Sequence, residues 1–529
     1  MNGYLAIVLH SHLPYVRHPE YEDFLEEDWL YEAMTETYLP LLDVFSRLTR
    51  DGVDFRITIS LTPTLLEMLA DGLLMRRYRA HLEKLIELSE REIDRTRHDP
   101  SINPLAKMYH ERFVHYLDLF ENGCRGNLIN GFRDFMEQGS VEIVASAATH
   151  AYLPLLIDRT WQDIQLHVGI DCHAHHLRKD AGGVWLPENA YTEGIDEILA
   201  TYGIRYTFLD AHGVLNASVR PAYGVYAPIS SRAGVGFFGR DLQSAKQVWS
   251  AKEGYPGDPD YREFYRDIGY DLDLGYIRPY LHSDGSRSNL GIKYYRITGQ
   301  TDQKQPYVLQ WAQRKVETHA GNFVFNRAKH IEYLCGIMDR KPILVSAYDA
   351  ELFGHWWFEG PEFIEQVFRK LSTTSGIVTA TTPTMYLKEY PENQAAVPSP
   401  SSWGDKGYHE VWLNGTNDWI YRHIHIAQDR MHELMRTTTA SPERHRGINQ
   451  ALRELLLAQS SDWPFIMNSG TMVAYARKRF VSHIARFTRL YQQIKDGHLE
   501  LEYLNGLESK DNIFPWIDYR TYAGVLRDR

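Results

Sequence analysis

Cysteine is scarce and positive charge is outnumbered. Only Cys124, Cys172 and Cys335 occur among 529 residues, widely spaced, odd in number and without a CxxC pair. That argues against a disulfide framework and against a cysteine zinc site. Lys and Arg number 57 against 69 Asp and Glu, a formal charge of −12. Wrapping a polyanion needs concentrated cations to displace counterions, so nucleic acid is not an expected partner and a neutral polymer fits better. No apolar run approaches the length that spans a bilayer, and no cationic stretch precedes the short apolar run at the N-terminus. The expected setting is the cytoplasm, with no membrane partner.

What is present is apolar sequence in short runs. At 43% hydrophobic residues the chain can bury a large core, and its length suggests more than one domain. Runs at Leu5–Leu9, Phe55–Ser60, Val141–Ala145, Gly183–Leu186, Tyr206–Leu209, Ile343–Ser346 and Ile377–Thr379 alternate with amphipathic helical stretches. This alternation marks βα units and a parallel sheet. Seven strands suggest an incomplete barrel, although periodicity alone leaves seven or eight strands, barrel or open sheet, undecided.

Two excursions interrupt the pattern. Residues 74–135 read as helices with charged faces, and residues 211–298, rich in Gly, Pro and Tyr, read as an insert expected to roof the active site. After Pro398-Ser399-Pro400 the character changes, and helices are expected at Trp419–Met435, Pro442–Gln459 and Met472–Ile494. In the last, Val473, Phe480, Ile484, Phe487, Tyr491 and Ile494 recur at helical spacing and give one apolar face. The expected organisation is a barrel over residues 1–400 and a C-terminal helical domain over 401–529, packed against it.

Two of the apolar runs end on a lone carboxylate: Glu188 follows Val184-Trp185-Leu186, and Asp349 follows Ile343-Leu344-Val345. Strand C-termini line the reactive mouth of parallel α/β folds, so an acid there faces substrate. Either could instead cap the next helix. A third strand end, after Leu5–Leu9, delivers His10-Ser11-His12, and three polar clusters at three strand ends are hard to explain as caps. Two such acids suggest glycoside chemistry.

The segments HSHLP (10–14), SVEIVASAATHAYLPL (140–155), VWLPENAY (184–191), SAYDAELFGHWWFEGP (346–361) and SSWGDKGYHEVWLNGTNDWIYR (401–422) resemble, in order and content, the successive motifs of glycoside hydrolase family 57. The likeness runs the length of the chain and is strongest to the group of 1,4-α-glucan (glycogen) branching enzymes. It implies a distorted (β/α)7 barrel with an inserted subdomain and a C-terminal helical domain. It also implies a retaining mechanism without cofactor or metal, acting on α-1,4-glucans such as amylose, glycogen and maltooligosaccharides. By the resemblance Glu188 is the nucleophile and Asp349 the general acid/base. His10 and His12 bind sugar hydroxyls beside them, and Arg240, Trp403, Trp412 and Asp462 line the glucan groove. His150 and His355 are candidates for the same task or satisfied structural residues. Trp419 reads as helix packing.

Branching enzymes of this family carry a loop whose tip tyrosine helps to shield the intermediate from water. The matching stretch, Tyr226–Phe237, reads Ser230-Ser231-Arg232 at its tip. The expectation is therefore an appreciable share of hydrolysis, with an α-amylase-like hydrolase as the alternative outcome and Tyr226, Phe237 or Phe238 as substitute shields. Two other classes are weighed. A metal-dependent amidohydrolase could use His10, His12, His212 and Asp349, and a non-catalytic glucan binder would not need the acid pair. The cluster Cys172-His173-Ala174-His175-His176 looks metal-like, but His173 and His176 share a helix face with no further ligand in view, and a solvent-facing helix end is expected.

Overall fold

The computed structural model describes residues 2–249, 254–373, 376–436 and 441–524. Its strands are β1 (Gly3–Ser11), β2 (Ile57–Leu61), β3 (Val141–Ser146), β4 (Gly183–Trp185), β5 (Tyr206–Leu209), β6 (Ile229–Ser230), β7 (Gly236–Gly239), β8 (Ile343–Asp349), β9 (Val378–Ala380) and β10 (Gln394–Ala395). Parallel neighbours run β8, β1, β2, β3, β4, β5, β7. A single parallel bridge, Arg240 to Val345, joins the end of β7 back to β8. The amide of Asp241 donates to the carbonyl of Val345 at 2.8 Å beside it. Seven strands thus close into the distorted (β/α)7 barrel that the motifs imply.

The count of seven is right, but one member differs. Ile377–Thr379 does pair, as β9, yet only with the first three residues of β1 and outside the ring. The seventh stave is β7, a four-residue strand between two glycines that the Gly-rich surroundings hid. The short β6 and β10 extend from it as an edge.

Parallel strands in such a barrel are buried on both faces, which explains their near-continuous apolar character. Alternate residues point inward: Ala6 and Val8 from β1, Val144 from β3, Trp185 from β4, Phe208 from β5, Phe238 from β7, and Val345 and Ala347 from β8 make one inner cluster. Carrying that period of two one step further along β1 and β8 aims His10 and Asp349 at the barrel mouth, where the two are direct neighbours in register. Gly183 is required by packing: a β-carbon there would meet the ring of Tyr206 at 2.3 Å.

Helices Gly72–Arg95, Asn103–Asp118 and Leu128–Glu137 form the first excursion. The insert after β5 divides. Its segment from Arg240 to Trp249 reaches the mouth, whereas the described residues from 254 onward pack on the excursion and outside the segment after β8: Tyr109 donates to the carbonyl of Lys293, Tyr294 donates to Glu92, and Phe264 stacks on Trp356. The expected roof is therefore only that segment of the insert, and residues 250–253 lie outside the described residues. C-terminal helices run Trp419–Met435, Pro442–Ala458, Asp462–Ser469 and Val473–Asp496, with Phe480, Phe487 and Ile494 buried. They join the barrel through an Ala151–Ser460 bridge and through Gln165, which donates to Gln459 at 2.7 Å. Among the described residues no helix is long and apolar enough to cross a membrane.

Candidate active site

At the C-terminal ends of the strands lies an open cavity of about 670 Å³ whose walls include all ten residues expected from the sequence: His10, His12, His150, Glu188, Arg240, Asp349, His355, Trp403, Trp412 and Asp462. Its size falls in the range of small-molecule sites.

Glu188 stands one turn beyond β4 on strained backbone. Its φ is 61° and that of Asn189 is 49°, left-handed values that cost about 1–3 kcal/mol each away from glycine. Residues 401–403 staple this turn: the amide of Tyr191 donates to the carbonyl of Ser401 at 2.9 Å and the amide of Trp403 to the carbonyl of Glu188 at 3.0 Å. The carboxylate is held at both oxygens, with the Trp403 indole N–H donating to Oε2 at 2.8 Å and Ser461 Oγ to Oε1 at 3.2 Å.

Three histidines pack beside it. His10 stacks on Trp185 at 4.6 Å, and His12 stacks on His150 at 3.7 Å. His10 and His150 meet through their Nε2 atoms at 3.0 Å. Burial and the charge on His12 hold both far below the ordinary imidazole range, so both are neutral. Burial also opposes charge on His12, but the Asp462 carboxylate, 3.0 Å from Nε2, outweighs it and raises the pKa. Asp462 begins a short helix in the C-terminal part, a position that the resemblance named and helical periodicity did not.

Asp349 ends β8. Among the described residues it has no hydrogen-bond donor. Burial raises Glu188 to about 7 and Asp349 to about 6; Trp403 and His12 moderate the first, and Arg240 and His12 the second. Such values belong to the interacting pair. Near neutral pH the pair holds about one proton; burial makes Glu188 the higher of the two, while the two donors on its carboxylate, against none on Asp349, favour leaving the proton on Asp349.

Arg240 is paired with Asp210 at 3.3 Å and lies over the Trp403 ring at 5.6 Å. The helix Leu242–Trp249 that follows is gripped from two sides. Tyr348 donates to the carbonyl of Ser244 at 3.0 Å, and the fully buried Arg327 reaches Asp241 at 3.2 Å, Gln243 at 3.1 Å and Gln247 at 3.0 Å. The helix ends at the mouth with Trp249, 59% exposed. His355 bonds Glu36 at 2.5 Å, which carries its pKa upward against burial. Gly354 makes this approach feasible, since any β-carbon there would strike the carbonyl of Glu36.

Some expectations fail. The Tyr226–Phe237 stretch is no active-site loop. Ser230 pairs with Gly236 at the start of β7, beside Tyr206 at the start of β5, so the Ser230-Ser231-Arg232 tip lies at the end of the barrel opposite the cavity. Phe237 and Phe238 are buried in β7, and Tyr226 packs against His330, so none of the three substitutes as a shield. The residue at the mouth is Trp249. Trp412 reaches the cavity but is 1% exposed, its face covered by Tyr152 at 4.4 Å, so it offers an edge and no open stacking surface. His212 bonds the carbonyl of Gly407 at 2.8 Å and is not among the cavity walls, so the four-residue metal set is not assembled. The Cys172–His176 segment is not a solvent-facing end: Cys172 and His173 are buried, and Glu67 Oε1 accepts from Cys172 at 3.6 Å, His176 at 2.9 Å and Trp516 at 3.2 Å. Trp419 is half-buried against Phe480, as expected of packing.

Sequence reasoning missed Ser461, Trp249, Trp356, Glu32 and Glu351. Glu351, two residues after Asp349 on the cavity wall, accepts from Tyr38 and is raised by burial to about 7. Its place in the same motif was the available signal. Trp356 is exposed on the rim and stacks on Phe264 at 4.3 Å.

Comparison with known proteins adds the following. The profile of Glycosyl hydrolase family 57 matches residues 6–329, and that of the 1,4-alpha-glucan branching enzyme C-terminal region matches residues 423–522. A 1,4-alpha-glucan branching enzyme of Thermococcus kodakarensis is 32% identical over 97% of this chain and 78% of its own. The solved alpha-amylase AmyC from Thermotoga maritima is 44% identical with a TM-score of 0.93, covering 99% of each chain. A solved family 57 branching enzyme from Pyrococcus horikoshii is 32% identical with a TM-score of 0.87, covering 99% of this chain and 97% of that one.

Proposed function

The chain belongs to glycosyl hydrolase family 57, and from that premise we propose that it is a retaining 1,4-α-glucan branching enzyme. The reading is carried by one contrast: two half-buried carboxyls share a cavity, one hydrogen-bonded at both oxygens and the other bare. Glu188 attacks the anomeric carbon of an α-1,4-linked glucose and forms a glycosyl ester, while the proton of Asp349 passes to the departing glycosidic oxygen. Asp349, now a carboxylate, takes the proton of an incoming sugar 6-hydroxyl, whose oxygen displaces Glu188 from the anomeric carbon. His12 and Asp462 bind hydroxyls of the reacting glucose, and His10 and His150, whose ring nitrogens are taken up by Ser60, Ser461 and each other, wall the subsite beside them. Arg240, His355, Trp403 and Trp412 shape the subsites around it. No step needs a metal. The match of a branching-enzyme C-terminal profile to the helices that include Asp462 supports transfer as the main outcome.

Hydrolysis is the second reading, favoured by the 44% identity to an alpha-amylase along the whole chain. The two outcomes share every residue above and differ in whether water or a 6-hydroxyl reaches the ester. Incubation with amylose, followed by assays of reducing ends and of isoamylase-releasable branches, separates them: branches without matching reducing sugar support transfer, and reducing sugar alone overturns it. A cytoplasmic setting, where thiols stay reduced, suits the three unpaired cysteines.

A further inference from the structure

When the Glu188 carboxylate is ionised, the oxygens and ring nitrogens around it favour one pattern of hydrogen-bond direction, the one that gives it a second donor. An indole N–H can only donate, so Trp403 fixes Oε2 as an acceptor. Ser461 Oγ lies 3.2 Å from Oε1 and 2.9 Å from His150 Nδ1. A hydroxyl has one proton to give. If it goes to Glu188, His150 must carry its own proton on Nδ1, pointing at the oxygen of Ser461. His150 is neutral, hemmed in by burial and by the charged His12 ring stacked on it, so its Nε2 is a bare lone pair. That lone pair faces His10 Nε2 at 3.0 Å, which must therefore carry the proton of His10. The remaining nitrogen of His10, Nδ1, is then an acceptor, and Ser60 Oγ lies 3.2 Å away with a proton to donate.

We infer that Ser60, His10, His150 and Ser461 form one directional hydrogen-bond chain that holds the Glu188 carboxylate ionised and oriented, with Ser461 as its terminal donor. The inference rests on the nucleophile role proposed for Glu188 and adds two positioning residues, Ser60 and Ser461, that need not touch substrate.

The backbone is arranged to keep the chain in line. His10 and Ser60 are direct partners in the β1–β2 register. His150 sits at φ 55°, a left-handed value that costs about 1–3 kcal/mol in a non-glycine residue. The amide of Ser461 returns a bond to the carbonyl of His150 at 3.0 Å, locking the two residues against each other across the barrel and C-terminal parts. All four members are buried, so bulk water does not compete for their protons. In the proposed reaction the bond from Ser461 weakens while Glu188 is esterified and re-forms as charge returns to it, which assists release of the sugar to its acceptor. The other charged or titratable groups on the cavity wall with Glu188, outside the chain itself, are His12, Glu32, Arg240, Asp349, Glu351, His355, Asp405 and Asp462, and every variant below keeps them.

The test reads the acidic limb of kcat/KM against pH on an α-glucan. Ser461→Ala removes a donor to a charged group and is expected to move that limb upward by about one pH unit; Ser461→Thr, which keeps the hydroxyl, restores it. Ser60→Ala, remote from the carboxylate, moves it the same way by less. A loss of rate with an unmoved limb in Ser461→Ala would mean a merely structural serine and overturn the inference. Nitrogen-15 NMR of histidine-labelled wild type, with His150→Gln for assignment, reads the chain directly. Above the upper titration of the acid pair His150 is expected as the neutral Nδ1–H tautomer and His10 as the neutral Nε2–H tautomer, and the reverse pattern overturns the chain even if a serine variant fails to fold. A wild type inert on glucans would sink the proposed function while the tautomers still decide this one.

Discussion

Glu188 sits on a wall tied down by the C-terminal part of the chain, through Trp403 and Ser461, whereas Asp349 sits on a wall tied to the insert, through the Arg240–Val345 bridge and the helix at Leu242–Trp249. The first wall aims hydrogen-bond donors at its carboxylate. The second supplies charge at a distance and no direct donor. Under the proposed function, two acids of similar burial are thereby given different work: one is kept ready to attack, the other to hold a proton. The division of labour resides in the partners and not in the acids, and each wall can be broken separately.

The largest expected effect is on the donor-rich side. Glu188→Gln should abolish both branching and hydrolysis while circular dichroism and melting stay close to wild type, because the amide cannot form the ester; near-normal turnover in this variant would remove Glu188 from the chemistry. Asp349→Asn should cost on the order of 10²- to 10⁴-fold on amylose, since one group acts as both acid and base. Part of the first step should return with an aryl glycoside whose leaving group needs no proton, and equal losses on both substrates would contradict the assignment. EDTA should leave wild type and both variants unchanged.

Next comes the shared proton. With the pair titrating near 6 and near 7, the working form carries one proton and kcat/KM should be bell-shaped between those values. Below about 6 a second proton arrives and silences the nucleophile; above about 7 the last one leaves and no acid remains. Trp403→Phe keeps the ring but removes one donor, so it should cost about ten- to a hundredfold and push the acidic limb upward. An unchanged limb would show that the indole N–H does not favour the charge.

The smallest effects concern the Asp349 wall and the acceptor. Trp249→Ala should raise the share of reducing ends by about two- to tenfold, the scale of one lost aromatic contact. Ser230→Tyr should alter neither product, because its hairpin is at the far end of the barrel. A change towards branches in Ser230→Tyr would mean that this hairpin reaches the mouth in solution.

Much of this was legible beforehand because parallel strands announce themselves. Their double burial makes apolar runs, and their ends expose whatever follows, which is how Glu188, Asp349, His10 and His12 could be placed. The strand Gly236–Gly239 could not: four residues between glycines carry too little pattern, and the bridge that makes it a stave lies with Arg240 and Val345, far apart in sequence. Ser461 was invisible for the same reason, since nothing local distinguishes a serine that caps from one that donates across 273 positions to Glu188. The loop was misplaced because it was matched by similarity of neighbours, whereas strand direction decides which end of a barrel a turn occupies.

The staple between residues 401–403, Ser461, Asp462 and the Glu188 wall bears on how the molecule comes into being. A ribosome that has just finished β8 has made every stave of the barrel and both acids, yet Trp403, Ser461 and Asp462, which hold Glu188, His150 and His12, are still to be translated, the last two more than a hundred codons downstream. At about 5–20 residues per second the barrel waits several seconds or more before Ser461 and Asp462 reach His150 and His12. A nascent chain at that stage should be silent towards glucan, and competence should arrive late, with the segment around Ser461.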